Sequence, residues 1–216
     1  HDLGNKYQEI EIINMGDLHV GEADFDEVLL DKVIKGILDT PNRYVVLNGD
    51  LINNAIRNSV SDIYTEKMSP EEQLDYLCNA FEPIKHKILG ISQGNHEFRT
   101  YKETGIDITK MFARTLGISD RYDPTGAVIF ISFGKNKHRE AVRHVISLYF
   151  THMGGTKARL TSMADIIDAD IYFRGHFFVK TKHSRGFFLN NLNIVLPYEI
   201  LRIEAVHDLA TCSASY

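Results

Sequence analysis

A chain of 216 residues with 44% hydrophobic and 25% charged residues can bury a full core, which excludes a disordered polymer. Its length favours one domain over residues 1–216. A formal charge of −5 gives no global attraction to a phosphate backbone, so nucleic acid is not the favoured partner and would need a local basic patch. No apolar run is long enough to span a bilayer, and residues 1–5 lack the basic and apolar regions of a signal peptide. The expectation is a soluble, cytoplasmic protein with no membrane partner, its oligomeric state left open. Cys78 and Cys212 are far apart in no ligand-like spacing, and Cys78, within an apolar helical pattern, is expected as a reduced thiol.

In chain order, an alternating strand over residues 7–14 hands over to Met15-Gly16-Asp17-Leu18-His19-Val20-Gly21. Val28, Leu29, Val33 and Ile37 then recur at helical spacing over residues 26–38, with Asp24 as the expected N-cap. A continuous apolar strand over residues 44–47 ends in Asn48-Gly49-Asp50. Ser69-Pro70-Glu71-Glu72 combines a cap, a first-turn proline and first-turn acids, opening a helix to about Pro83. The apolar run 88–91 delivers Gly94-Asn95-His96-Glu97, predicted as a turn. A helix over residues 107–116 stops at Gly117, and residues 123–126 form a turn.

The topology is then predicted to change. Two β-rich runs, 127–133 and 142–150, flank the basic stretch 134–140 as a long hairpin, and the second ends in Thr151-His152. An amphipathic segment over residues 156–168 precedes a strand that ends in Gly175-His176. From 179 to 206 the pattern is one of short strands, among them 187–189 and 200–203.

One grammar recurs: an apolar strand ends in glycine and then in a potential metal ligand. Ligands in open α/β sheets bind beyond the carboxyl ends of the strands, so residues ending several strands converge on one crevice. The set is Asp17, His19, Asp50, Asn95, His152 and His176, with His96 beside it. Asp17 and His19, two apart in an extended turn, point the same way. Carboxylate, imidazole and amide donors without thiolate suit manganese, iron, zinc or nickel. Asp50, midway in the set, is the natural bridge between two ions. Two divalent ions against two aspartates leave a positive site suited to a phosphate ester, with a metal-bridged hydroxide as nucleophile. Asp50 and His96 are the candidate catalytic residues: His96 stabilises phosphoryl charge or protonates the leaving group, and Glu97 is expected to orient His96.

The ordered series Gly16-Asp17-Leu18-His19, Gly49-Asp50, Gly94-Asn95-His96-Glu97, His152 and Gly175-His176 resembles the calcineurin-like metallophosphoesterases, the small bacterial and phage members above all. The resemblance covers roughly residues 10 to 178. It implies an α/β fold of two mixed β-sheets packed as a sandwich with helices on the outer faces, and two divalent ions, manganese first among them. It assigns Asp17, His19 and Asp50 to the first ion, and Asp50, Asn95, His152 and His176 to the second. The family's last motif is usually G-H-x-H; here Phe178 stands where the second histidine is expected, which weakens the first ion. That departure leaves an alternative reading, a catalytically impaired scaffold or binding module of the same fold. Residues 190–216 also lack the small-residue turn expected after the last strands. The basic stretch 135–144 is read as a solvated turn, and Arg57, Arg99 and Arg174 as surface ion-pair residues or grips on substrate phosphate.

Overall fold

The computed structural model describes residues 1–57, 59, 63–134, 144–152, 166–175, 181–183, 186–190, 198–206 and 209–215. In chain order the elements are β1 (Glu9–Met15), α1 (Glu27–Asp39), β2 (Arg43–Asn48), α2 (Pro70–Phe81), β3 (Ile88–Ser92), α3 (Asn95–Thr104), α4 (Ile108–Thr115) and β4 (Tyr122–Asp123). There follow β5 (Ala127–Phe133), β6 (His144–Thr151), β7 (Ile171–Arg174), β8 (Thr181–His183), β9 (Gly186–Asn190), β10 (Tyr198–Val206) and β11 (Leu209–Ser215). Two mixed sheets result, in the orders β11-β10-β1-β2-β3-β4 and β5-β6-β7-β9-β8.

Alternation along β1 explains the layering. Ile10 and Ile12 point between the sheets, where they meet Val46, Leu89, Leu148, Phe150 and Phe173. Ile13 and Met15 point the other way, into a second core with Leu30, Val33, Ile37, Leu77, Phe81 and Phe112 from the helices. Because β1, β2 and β3 run parallel, their carboxyl ends share one edge. β6 and β7 are parallel as well. No described helix is long and apolar enough to cross a membrane.

Local chemistry sets the helix ends. Asp26, not Asp24, caps α1, accepting from Leu29 N at 2.9 Å. Ser69 and Glu72 close a reciprocal capping box on α2 with Pro70 at its first position. The structure corrects a further expectation. Residues 95–104 are a helix, α3, rather than a turn; its apolar residues, Phe98 and Tyr101, make no stripe that periodicity could detect. The last part of the chain joins the first sheet: β10 lies antiparallel to β1 and β11 antiparallel to β10. The predicted hairpin is present as the antiparallel β5–β6 pair, whereas its basic connection at 135–143 and most of the amphipathic segment 156–168 lie outside the described residues.

Two buried charges lock this frame. Glu11 accepts from Arg43 Nε at 2.6 Å and Arg202 at 2.9 Å, which ties β1 to both its neighbours. Lys87, 6% exposed, donates to Ile37 O and Thr40 O, each at 2.6 Å, and satisfies carbonyls at the end of α1 that the helix leaves open. Burial, followed by the nearby Arg43, lowers its pKa. Lys87→Met is predicted to destabilise the fold by about 1–3 kcal/mol, because it strands buried acceptors. Urea unfolding at neutral pH should show the loss as a lower midpoint with unchanged slope.

Candidate metal centre

Beyond β1 and β2 the chain keeps its pairing although the strands have ended. Asp17 N bonds Gly49 O at 3.0 Å, His19 N bonds Asp50 O at 3.1 Å and Val20 N bonds Leu51 O at 3.1 Å. Holding this zipper takes an unusual backbone: Asp17, His19, Asp50 and Asn54 have φ of 53°, 48°, 50° and 47°. Asp, Asn and His tolerate this left-handed region better than most residues, yet each such residue still costs roughly 1–3 kcal/mol. Strain concentrated on candidate ligands is the expected mark of a functional site.

Glu97 organises the loop instead of orienting His96, which corrects the expectation for this residue. At 2% exposure its Oε1 accepts from Leu51 N (2.6 Å) and Ile52 N (3.1 Å). Its Oε2 accepts from Asp50 N (3.1 Å) and Gly94 N (2.9 Å). A side chain at Gly94 would run into the backbone nitrogen and carboxylate of Asp50, so only glycine lets α3 start here. Burial and then the charge of Asp50 push Glu97 up, to about 7; all four contacts are donors, and they hold it as a carboxylate.

The orienting group for His96 is the Asn53 carbonyl. His96 Nδ1 donates to Asn53 O at 2.7 Å, and its Nε2 accepts from Arg99 at 3.0 Å. The ring is therefore neutral, in agreement with a pKa driven down to about 4, chiefly by burial. The sequence offered one signal for this support, the pair Asn53-Asn54 directly after a strand-end motif, because asparagine favours such local backbone roles.

Six of the seven residues singled out converge. His152 Nε2 lies 3.1 Å from Asp50 Oδ2 and 3.2 Å from Asn95 Oδ1, while its Nδ1 donates to Asn48 O at 2.7 Å. Asp50 Oδ1 accepts from His96 N at 2.8 Å, and its Oδ2 lies 3.9 Å from His96 Nε2. Donor atoms of Asp17, Asp50 and His152 fall within 4.8 Å of one another, as do those of His19, Asp50 and His96. Asp50 is common to both groups. His176 and Phe178 lie outside the described residues. Arg174 is 2% exposed and so is not the surface residue expected, whereas Arg57 is exposed and Arg99 half-buried.

The donors suit a divalent ion. Burial alone would raise the carboxyl of Asp50, but His152 and then His96 pull it well below the usual range. Burial would likewise depress His152, yet its bond to Asp50 and the charges of Asp50 and Asp17 raise it to about 9. A proton thus sits where the carboxylates call for positive charge. His19 Nδ1 is buried with no hydrogen-bond partner among the described residues, an imidazole atom left for a ligand or ion.

The family model described as calcineurin-like phosphoesterase matches residues 10–179. No curated protein sequence matches the chain. A putative 5'-nucleotidase from Staphylococcus aureus superposes with a TM-score of 0.56 at 12% identity, over 96% of this chain and 53% of that one. The calcineurin-like phosphoesterase YfkN from Bacillus subtilis gives 0.52 at 11% identity, over 96% and 90%. Vacuolar Protein Sorting 29 from Cryptosporidium parvum gives 0.45 at 13% identity, over 97% and 98%. The likeness to the first two is one of fold.

The raised pKa of His152 predicts how an ion would compete. The proton stabilises the metal-free fold fully below the ordinary histidine value of about 6.5, and this contribution is lost as pH rises through about 9. An ion using His152 must expel it. Calorimetry of manganese binding at neutral pH in buffers of different ionisation enthalpy should show release of about one proton, with apparent affinity rising about tenfold per pH unit up to about 9. Binding without proton release would remove His152 from the ligands.

Proposed function

Because the chain belongs to the calcineurin-like phosphoesterase family, we propose that it hydrolyses a phosphate ester, mono- or diester, at the cluster around Asp50. Asp17, His19 and Asp50 hold one divalent ion, and Asp50, Asn95, His152 and His176 a second. Manganese is favoured, with iron, zinc and nickel also suited to a set of carboxylate, imidazole and amide donors. The observation that carries the reading is the Asp50 carboxylate, 1% exposed and common to the cluster with Asp17 and His152 and to the cluster with His19 and His96. Paired ions, when bound, offset phosphate charge and make a water nucleophilic at neutral pH.

The chain's own groups do the rest. Asp50 presents one oxygen to the His96 amide and the other to His152, so its carboxylate plane is set before anything binds. Asn95 Oδ1 and His152 Nε2 lie 3.2 Å apart. His96 stands at the margin, its side chain 13% exposed and its ring edge-on to His19 at 4.3 Å. Arg99 supplies positive charge beside it. An anionic ester arriving there favours protonated His96, and Nε2 can then hold a proton against a phosphoryl or leaving oxygen. The acidic net charge of −5 weighs against duplex nucleic acid as substrate.

Manganese-dependent cleavage of bis(p-nitrophenyl) phosphate tests the reading. Asp50→Asn should abolish turnover and cost more bound manganese than removal of any one histidine. His96→Asn should slow turnover by about two to four orders of magnitude with metal content unchanged. If manganese is lost along with activity in His96→Asn, the residue is a ligand and its assigned role is wrong.

A further inference from the structure

Next to the candidate site lies a buried polar group that the proposed chemistry does not use. Gln73 is 0% exposed, on the side of α2 that also buries Leu77 and Phe81. A primary amide in such a place is tolerated only if its hydrogen-bonding atoms are matched. Its Oε1 accepts from Asn54 N at 2.8 Å. Its Nε2 donates to Met68 O at 2.8 Å and to Glu66 Oε2 at 2.5 Å, and the other oxygen of Glu66 accepts from Asn53 Nδ2.

Gln73 and Glu66 thus grip two consecutive residues, and these are the two that hold His96. Asn53 O receives the ring Nδ1 proton at 2.7 Å. Asn54 Nδ2 donates to His96 O at 2.6 Å and to Thr100 Oγ1 at 3.0 Å. The left-handed backbone of Asn54, with φ of 47°, needs this kind of external hold. The loop carrying His19 rests on the same amide: a Cβ at Gly21 would lie 2.5 Å from Gln73 Cδ. None of these supports belongs to a strand-end motif.

We infer that Gln73, keyed by Glu66, is a positioning residue for His96: it fixes the Asn53 carbonyl that sets the direction of the imidazole and, together with Arg99, its tautomer. The inference rests on the proposed role of His96, and its expected size is taken from the outer partners of metal-binding histidines, which matter about 10–100-fold. A purely structural amide would instead affect folding or metal binding without regard to His96.

The test places Gln73→Leu and Glu66→Gln in the unmodified protein and in His96→Asn, with manganese and bis(p-nitrophenyl) phosphate. Each should lower kcat about 10–100-fold with KM and bound manganese unchanged, and add nothing in the His96→Asn background. Equal losses in both backgrounds, or loss of manganese, overturn the inference while leaving the phosphoesterase reading intact. A rate unaffected by His96→Asn itself overturns the role of His96. Nitrogen-15 NMR of the metal-free protein, with the His96 signal assigned by its disappearance in His96→Asn, supplies a readout without turnover. The native ring should be the Nδ1-protonated tautomer, held by Asn53 O at one nitrogen and by Arg99 at the other, and both support variants should shift the Nδ1 resonance that reports the bond to Asn53 O; an unchanged spectrum overturns the inference. Should Gln73→Leu fail to fold, the milder Glu66→Gln, at a half-buried position, decides the matter alone.

Discussion

A carboxylate removed from water has to be met by opposite charge and donors, or it takes up a proton and loses its use. Asp50 is in that position at the end of β2, and much of the surrounding chain answers to it. His152 brings a proton to one oxygen and the start of α3 brings the His96 amide to the other. Glu97, itself buried, fastens the Asp50 amide and the two that follow. Two negative groups so close in the interior are sustainable because each is saturated with donors, and because the place invites cations.

The second consequence is strain. Carrying the β1–β2 pairing past the strand ends forces Asp17, His19, Asp50 and Asn54 into the left-handed region. The core between the sheets, with Ile10, Ile12, Val46 and Phe150, takes no side chain from these loops, whereas Leu18, Val20, Leu51 and Ile52 pack from them into the helix-side core and help to hold the strained path. The strain is held by interactions that also aim side chains, namely the Glu97 clamp and the amide of Gln73. A site held this way is preorganised: its donors need little reorganisation when an ion or an anionic ester arrives.

Much of this was legible in the sequence, and the exceptions share a cause. Strand ends followed by glycine and a ligand type single out Asp17, Asp50 and Asn95 because that grammar is local, with His19 two residues past Asp17 and His152 at a strand end without a glycine; the fold brings these five side chains together. The role of Glu97 was misread because its partners, residues 50–52, are distant in sequence and are backbone groups, which leave no mark on side-chain pattern. Helix α3 was missed because it binds through polar contacts such as Thr100 with Asn54, not through an apolar stripe. Strand β11, Leu-Ala-Thr-Cys-Ser-Ala-Ser, has few of the branched residues that announce a strand, and the antiparallel ladder with β10 supplies what its composition does not. Nothing in the sequence marks Gln73, since only three dimensions show that it faces the loop holding His96.

The central claim is that one buried carboxylate serves two ions. Crystals grown with manganese and phosphate, read by anomalous scattering, address it directly. Two peaks about 3.5–4 Å apart, with Asp50 within bonding distance of both and His96 of neither, are the predicted result. A single ion, or a pair in which Asp50 contacts only one, would contradict it.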